Sequence, residues 1–336
     1  MRSRRHYTQK KGEGQQRYHP GVRLPFRIPT AGSSAYDAVG LGLNSIDLVA
    51  VVAEYPVSDT KQRLQRFARL PGGQIATALT VCTRLGWTAR YLGTFGDDDL
   101  GRLSRESLVS EGVDISATQT IPGATNQFAI VIVDARSGTR TVLWDRHPGL
   151  AIDPASVSRE AVTSGRMLIV DCHETYAAAQ AARYAREAGI PTVVDVEKVR
   201  PGIADLLKHI DAIIAAESFP AELTGYGEHG RALDAMAREF DSPLVCVTLG
   251  AEGSLARCNG REFRTPGFIV DCVDSTGAGD AFRGGFAAGC FGMPDGDVQD
   301  VLAYANAVAA LNCRALGARG AIPTAAEVEQ LLYARF

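Results

Sequence analysis

A glycine-rich stretch in the last quarter of the chain has the residue types that could bind an anion beside a general base. Its letters, DSTGAGDAF, run from Asp274 to Phe282, between an apolar run and an alanine-rich segment. Glycines at a strand-to-helix turn let the backbone N–H groups of Gly277, Ala278 and Gly279 point into one space, at the positive end of the helix dipole. Asp280 follows in the first predicted helical turn, where its carboxylate could accept a proton from a hydroxyl that attacks a bound phosphoryl group.

The same residues also fit an ordinary helix start. Ser275 or Thr276 would then cap the helix, and Asp280 would only complement its dipole. The sequence contains no Gly-x4-Gly-Lys-Ser/Thr, and no Gly-x-Gly-x-x-Gly opens the first strand-helix unit. A P-loop and a dinucleotide-binding turn are therefore excluded, and the residues alone leave the anion site and the plain helix start open.

Alternating segments in the second half of the chain predict the body that would position this turn. Strand-like apolar runs alternate there with alanine-rich helical runs, which favours βαβ units and a mainly parallel sheet covered by helices on both faces. The predicted strands are residues 167–171, 192–196, 212–216 and 244–249, and the predicted helices are residues 74–85, 176–188, 203–209, 233–240, 279–290, 298–316 and 325–333.

The β-branched first half does not fit a parallel sheet. Ala38 to Val52 is strand-like, and Phe128 to Val133 with Thr139 to Trp144 has the pattern of a hairpin, which requires antiparallel pairing. We expect these pieces to form a small accessory sheet, with the ligand site in the cleft between that sheet and the main body.

Length and composition exclude several classes of function. The chain has 336 residues, 46% of them apolar and 22% charged, which excludes a disordered or collagen-like polymer. The net charge of -3 and apolar runs much shorter than a membrane span argue against nucleic-acid and membrane partners. The seven cysteines form no C-x-x-C pair and mostly lie in apolar runs. We therefore expect reduced, buried thiols, no structural zinc and a cytoplasmic protein.

Residues 1–35 differ from the rest of the chain. The first 30 residues contain eight basic residues and one acidic residue, a local charge of +7, and show no apolar periodicity. This composition predicts a basic, disordered leader, with a transit peptide or a nucleic-acid arm as alternatives. Residues 36–336 are predicted to form one domain.

Six segments of the chain resemble the ribokinase-like (PfkB) carbohydrate kinases. Residues 274–282 resemble the family's second signature, D-T-x-G-A-G-D-x-F. The chain also has, in family order, a first strand with a substrate aspartate, a di-glycine helix opening, a G-D-D-x-x-G turn, a nucleotide-side loop and an adenine-side helix. These segments are residues 40–47, 71–86, 96–101, 247–253 and 305–307. The resemblance implies a three-layer α/β/α fold with a mainly parallel sheet and a small β-sheet lid, whose strands come from about residues 44–60 and 121–146.

The resemblance also implies transfer of the γ-phosphoryl group of ATP to a sugar hydroxyl. Asp280 would be the general base, the amides of Gly277, Ala278 and Gly279 would stabilise the transferred group, and Asp47 would hold two sugar hydroxyls. The other implied substrate residues are Asn44, Gly72, Gly73, Gln74, Thr77 and Asn126, and the implied nucleotide residues are Thr248, Gly250, Gly253, Asn306 and Glu217. Mg²⁺ would accompany ATP, and a monovalent cation such as K⁺ would lie beside Asp274, Thr276 and Gly317.

Three segments depart from the family pattern. Thr77 stands where the family has an asparagine that contacts the sugar. The N-x-x-E element, linked to Mg²⁺ and phosphate, falls at residues 216–219, where the letters AESF keep neither residue and Glu217 is the acid that could substitute. Residues 195–200, DVEKVR, are more similar to the ketohexokinase branch than to ribokinase.

The substrate class is inferred from an absence. Members that act on sugar phosphates have an arginine where this chain has Ala124 to Gln127, so an unphosphorylated ketose or aldose is favoured. Arg90, Arg136 or Arg140 could still reach the pocket from elsewhere. A nucleoside (adenosine-type) kinase and a non-catalytic sugar- or nucleotide-binding relative remain alternatives. Because a lid of few strands exposes an edge and an apolar face, we expect a homodimer through the lid.

Overall fold

Apolar and β-branched runs form the strands of three sheets in the computed structural model, which describes residues 21–137 and 139–334. The strands are β1 (Tyr36–Leu41), β2 (Ser45–Val52), β3 (Arg66–Gly72), β4 (Ala89–Leu92), β5 (Thr94–Gly96), β6 (Gln119–Ile121), β7 (Phe128–Asp134), β8 (Arg140–Asp145), β9 (Gly165–Asp171), β10 (Thr192–Val196), β11 (Ala212–Ala215), β12 (Leu244–Thr248), β13 (Ser254–Cys258) and β14 (Arg261–Thr265). The helices are α1 (Gln74–Arg84), α2 (Asp99–Ser110), α3 (Arg159–Val162), α4 (Thr175–Glu187), α5 (Ile203–Leu207), α6 (Phe219–Thr224), α7 (His229–Phe240), α8 (Ala278–Gly292), α9 (Val298–Asn312) and α10 (Ala325–Tyr333).

The main sheet has eight strands in the order β14-β13-β12-β11-β10-β9-β1-β4. Its neighbours from β12 to β4 pair in parallel, which confirms the predicted βαβ body. Strands β13 and β14 add an antiparallel edge that the sequence analysis did not predict. Asn259 and Gly260 join them, both with positive φ, and Asn-Gly between apolar runs is a strong hairpin signal that was available in the sequence.

Two layers of helices cover the sheet. Strand β9 is buried along its whole length, and its side chains alternate between the two faces because successive residues of a strand point to opposite sides. Met167 and Ile169 pack in the cluster formed with α1, α8 and α9, whereas Leu168 and Val170 pack in the cluster formed with α4, α5 and α7. The three-layer α/β/α fold is thereby confirmed, and it brings the carboxyl ends of β9, β10, β11 and β12 to one edge.

A separate four-stranded sheet, the lid, has the order β3-β2-β7-β8. The predicted hairpin is confirmed as β7 and β8, which pair antiparallel. The strand-like run from Ala38 to Val52 divides into β1 of the main sheet and β2 of the lid. Strand β3 was not predicted as a strand, and the lid strands begin at residues 45, 66, 128 and 140, so the expected range of 44–60 was too long at its end.

Part of the predicted leader packs on the body. The backbone N–H of Val298 donates to the carbonyl of Val22 at 2.8 Å, and Arg166 Nε donates to the carbonyl of Pro29 at 2.7 Å. The predicted disorder therefore does not extend to residues 21–35, whereas residues 1–20 lie outside the described residues. A sequence signal for this order was present, because apolar side chains occur at every second position from residue 22 to residue 28. These side chains pack in or against the core: Val22, Leu24, Phe26 and Ile28.

The cysteines agree with the prediction of reduced thiols. All seven are free, and six of them are buried while Cys272 is exposed. Among the described residues, no helix has the length and apolar character that a membrane span requires.

Candidate active site

The turn before α8 leaves the start of that helix open. Gly277 precedes the helix with φ 74°, and no side chain caps it. A Cβ on Gly277 would lie 2.4 Å from the carbonyl oxygen of Ala318, so both conformation and space require glycine here. Thr276 Oγ1 donates to Asp274 Oδ1 at 2.7 Å instead of capping α8. The N–H of Ala278 donates to the carbonyl of Ser275 at 3.2 Å, which leaves those of Gly279 and Asp280 as the first-turn N–H groups that have no acceptor within the helix and could bind an anion.

Asp280 lies in this first turn and is half-buried. Burial raises the pKa of Asp280, and the carboxylates of Glu197, Asp47 and Asp171 raise it further, while the guanidinium of Arg283 lowers it. A carboxylate whose pKa lies closer to neutrality is a better proton acceptor for a hydroxyl than an ordinary aspartate. A raised pKa and a place in the first turn of α8 are properties that a general base at this turn would need.

Asp47 reaches the same cleft from lid strand β2. It is 8% exposed, and burial raises its pKa to about 6, while the hydrogen bond from Ser45 and the charge of Arg319 oppose that rise. A Cβ on Gly72 would lie 2.7 Å from Asp47 Oδ2, so the di-glycine turn lies directly against this carboxylate. The predicted residues Asp47, Gly72 and Gly73 are therefore brought together on the lid side of the cleft.

All hydrogen-bonding sites of the Asn44 side chain are used by other groups of the protein. Its Nδ2 donates to Tyr91 OH at 2.9 Å and to the carbonyl of Thr94 at 2.8 Å. Its Oδ1 accepts from Ser104 Oγ at 2.9 Å and from Asn126 Nδ2 at 3.1 Å. Two donors and two acceptor sites are all that an asparagine side chain has. In this arrangement the Asn44 side chain supports the site through protein contacts, and its role as a sugar ligand stays a prediction.

Asn126 belongs to the same network. Its Nδ2 also donates to the carbonyl of Gln127 at 3.0 Å, and its Oδ1 accepts from the N–H of Gly96 at 3.1 Å. Both amide hydrogens are thereby used, so the Asn126 side chain could still accept one hydrogen bond but could not donate one.

Thr77 is fully buried and contacts an arginine that the sequence analysis missed. Arg319 Nε donates to Thr77 Oγ1 at 3.1 Å, and Arg319 Nη2 donates to the carbonyl of Gly72 at 2.7 Å. Burial lowers the pKa of Arg319 to about 10, so it remains a cation at neutral pH. The position where the family has a sugar-binding asparagine is thus occupied by a threonine that anchors a buried guanidinium.

Two glutamines leave polar atoms unpaired on the same side of the cleft. Within the described residues, Gln74 Oε1 and Gln127 Oε1 are buried without a hydrogen-bond partner. Gln74 was predicted from the di-glycine opening, whereas Gln127, which immediately precedes lid strand β7, was not. Unpaired buried acceptors are costly unless a ligand satisfies them, and sugar hydroxyls are suitable donors.

The predicted nucleotide residues lie beyond the carboxyl end of β12 and beside α9. Thr248 ends β12, a single helical turn spans Gly250–Glu252, and Gly253 follows with φ 92°. Asn306 Nδ2 donates to Ser254 Oγ at 3.2 Å and to the carbonyl of Thr265 at 3.1 Å, so it ties α9 to the antiparallel edge.

Glu217 does not replace the missing N-x-x-E element by any contact that we observe. Its side chain is exposed, and the last position of that element is Phe219, a fully buried core residue. Glu197 is an acid close to Asp280, and its charge contributes to the raised pKa of Asp280.

Asp274, Thr276 and Gly317 are brought together as predicted. Asp274 Oδ1 accepts from the N–H of Thr276 at 2.9 Å, and Asp274 Oδ2 accepts from the N–H of Gly317 at 2.8 Å. No group of three or more His, Cys, Asp or Glu within residues 21–137 and 139–334 could hold a metal ion.

Comparison with known proteins agrees with this geometry. The model of the family described as pfkB family carbohydrate kinase matches residues 37–325. The chain belongs to the pfkB family of carbohydrate kinases. The expected fold family and the expected enzyme class, a phosphotransferase with a carbohydrate hydroxyl as acceptor, are thereby confirmed.

Individual pfkB relatives differ in the substrate that their names state. An ATP-dependent ribose-1-phosphate kinase of Halopiger xanaduensis is 31% identical over 290 residues, 86% of this chain and 96% of that protein. A fructokinase of Escherichia coli is 28% identical, covering 83% of this chain and 96% of its own length. The structure of an Arabidopsis thaliana ribokinase complexed with ribose and ATP superimposes with a TM-score of 0.77 at 23% identity, over 89% of this chain and 99% of that one.

Proposed function

We propose that this pfkB kinase transfers the γ-phosphoryl group of ATP to a hydroxyl of an unphosphorylated sugar, with Asp280 as the general base. The observation that carries the proposal is the position of Asp280 in the first turn of α8, beside an uncapped helix start and within electrostatic reach of Asp47 across the cleft. The open N–H groups would stabilise the transferred group, and Asp280 would take the hydroxyl proton.

Two cations, Mg²⁺ and K⁺, would bind at different places in the cleft. Because the described residues lack a cluster of metal ligands, Mg²⁺ would be held mainly by the phosphates of ATP, as is common for this ion. Thr248, Gly250, Gly253 and Asn306 would line the nucleotide, and Glu217 lies exposed near that side. K⁺ would bind where Asp274, Thr276 and Gly317 meet, with the Asp274 carboxylate as its charged ligand.

An uncharged acceptor is favoured by the groups around Asp47. The side chains of Gln74 and Gln127 offer neutral acceptors, and the segment from Ala124 to Gln127 contains no cation. Arg140, the lid cation nearest the anion turn, donates from Nη1 to Ser275 Oγ at 2.9 Å. A sugar phosphate would therefore lack a guanidinium fork at the acceptor end of the cleft.

A nucleoside acceptor is the second candidate. Trp144 pairs with Ala129, which pairs with Asp47, so the indole lies on the same face of the lid as the carboxylate. It is 61% exposed and could stack on a purine or imidazole base. An aminoimidazole riboside kinase of Salmonella typhimurium is 27% identical to the chain.

The test is a coupled ADP-release assay with Mg-ATP and the acceptors fructose, ribose, ribose 1-phosphate and adenosine. The proposal expects turnover of fructose or ribose, and a loss of about 100-fold or more in Asp280→Asn. Preference for ribose 1-phosphate or for adenosine would refute the unphosphorylated-sugar assignment. Thermal stabilisation by ATP and a sugar without ADP release would show a binding protein instead.

We also propose a cytoplasmic homodimer that associates through the lid. The face of the lid away from Asp47 exposes three large apolar side chains, Phe67 on β3, Ile130 on β7 and Leu143 on β8. An uncovered apolar sheet face favours association with a second copy. Light scattering at micromolar concentration should give twice the chain mass, and Ile130→Lys should give the monomer. A monomeric wild-type protein would refute the dimer. Seven free cysteines support a reducing compartment.

A further inference from the structure

Arg283 is a buried cation beneath the candidate general base. It lies on α8 three residues after Asp280, about one helical turn away, and its side chain is 4% exposed. Arg283 Nη2 contacts Asp195 Oδ1 at 2.8 Å and donates to the carbonyl of Ile214 at 3.1 Å. The guanidinium is thus anchored on β10 and β11 at the sheet edge that faces the start of α8.

The guanidinium turns back toward the anion turn. A Cβ on Gly279 would lie 2.4 Å from Arg283 Nη1, so this nitrogen lies directly under the glycine. Arg283 Nε is buried without a hydrogen-bond partner among the described residues. A buried cation at the positive end of a helix dipole is unfavourable by itself. Its retention there is explained if carboxylates and a transferred phosphoryl group are its partners.

We propose that Arg283, anchored by Asp195, is a positioning residue that keeps Asp280 ionised as the base of the phosphoryl transfer. The inference rests on the proposed function, since it concerns the base of that reaction. It goes beyond that function by assigning a role to two residues, Arg283 and Asp195, that lie outside the site deduced from the motifs.

The charges around Asp280 make this role necessary. Four carboxylates lie near it on three elements: Asp171 on β9, Asp195 and Glu197 on β10 and its end, and Asp47 on the lid. The cations are Arg283 on its own helix and Arg319 on the loop after α9. Burial raises the pKa values of both Asp195 and Asp280, and Arg283 opposes the rise for each of them.

The experiment measures the ionisation of Asp280 directly and through catalysis. The direct readout is a carboxyl ¹³C NMR titration of labelled protein, with the Asp280 signal assigned by its loss in Asp280→Asn. The second readout is the acid limb of kcat/KM against pH on the best acceptor of the panel. Arg283→Gln and Arg283→Met, which both remove the charge, should move both readouts up by about one pH unit, the effect of removing a nearby opposite charge, whereas Arg283→Lys, which keeps the charge, should move them less.

Arg166→Gln is the matched control. Arg166 is equally buried and is paired with Asp37 at 2.6 Å, but it lies at the amino end of β9, at the opposite edge of the sheet. Its substitution should lower thermal stability without moving either readout.

Three outcomes decide the matter. Unchanged Asp280 titration in folded Arg283→Gln would overturn the inference, whatever the activity. If Arg283→Gln does not fold, Arg283→Met decides in its place, because it removes the same charge and should shift both readouts in the same direction. A wild-type protein without kinase activity would refute the proposed function, and the NMR titration would still test the effect of Arg283 on Asp280.

Discussion

Replacing Arg319 with methionine should weaken binding of the acceptor more than binding of ATP. The guanidinium holds the back of the di-glycine turn through the Gly72 carbonyl and contacts Thr77 Oγ1 and Ser107 Oγ at 3.1 and 3.3 Å. Arg319→Met keeps the length of the side chain but removes all three hydrogen bonds. Gly72 is buried and its Cα side lies against Asp47 in the cleft, and its carbonyl would be left without this donor.

The unpaired carbonyl of Gly72 sets the size of the effect on acceptor binding. An unpaired buried acceptor costs about 1–3 kcal/mol. If the turn moves to satisfy it, the same free energy is lost from acceptor binding, roughly a 5- to 150-fold rise in KM. The KM for ATP should change less than about twofold, an effect below roughly 0.5 kcal/mol, because the nucleotide residues lie at the end of β12 and beside α9.

The assay is steady-state ADP release with the acceptor and ATP varied in turn. Arg314→Met is the control, because Arg314 lies on the same loop but pairs with Glu327 on the surface at 2.8 Å. It should leave both KM values unchanged. An unchanged acceptor KM in Arg319→Met that melts as a folded protein would refute this role, and an equal rise in both KM values would indicate general distortion of the cleft.

Two further outcomes are expected. Gly277→Ala should lower kcat by about 100-fold or more, the scale seen when an oxyanion donor is lost, because the new Cβ would meet the Ala318 carbonyl at 2.4 Å; rates near wild type would show that the turn tolerates a side chain. The KM for the acceptor should rise as the pH falls through about 6, because Asp47 then binds a proton and the carboxylate loses acceptor capacity. The stability of the ligand-free protein should depend on pH in the opposite direction to acceptor binding. Because folding raises the pKa of Asp47, the Asp47 contribution to stability should be greater below pH 6 than above it. Asp47→Asn should remove both dependences, and a flat acceptor KM between pH 5 and 8 would refute the assignment.

The elements predicted best were those with strong local signals. The strand over residues 192–196 and the helix over residues 325–333 have the predicted bounds, and each run begins directly after a local signal, Pro191 before the strand and the N-cap residue Thr324 before the helix. Strand β3 was missed because its letters, RFARLPG, alternate charged and apolar residues and end in Pro71 and Gly72. Its pairing with β2 is a long-range contact, and the local pattern does not report such a contact.

The residues of the candidate site also divide into those with a local sequence signal and those without one. Asp280, Asp47 and the glycines of both turns were predicted because each lies in a contiguous motif. Arg283 and Arg319 were not, because a buried guanidinium is recognisable only from what surrounds it. Asn44 illustrates the converse, since its position was predicted but its four hydrogen-bonding sites are used by partners 47 to 82 residues away.

The charges of the cleft indicate why the donor should enter as a magnesium complex. The carboxylates near Asp280 outnumber the two buried guanidiniums, and they are Asp47, Asp171, Asp195, Glu197 and Asp280 itself. Free ATP would bring further negative charge into this partly buried space, where repulsion is weakly screened. Mg²⁺ would supply two positive charges at the phosphates, where the turn before α8 offers backbone N–H groups. Arg283 and Arg319 lie behind the glycine turns, one under Gly279 and the other on the Gly72 carbonyl, so they lower the negative potential without occupying the space that the phosphates and the sugar need.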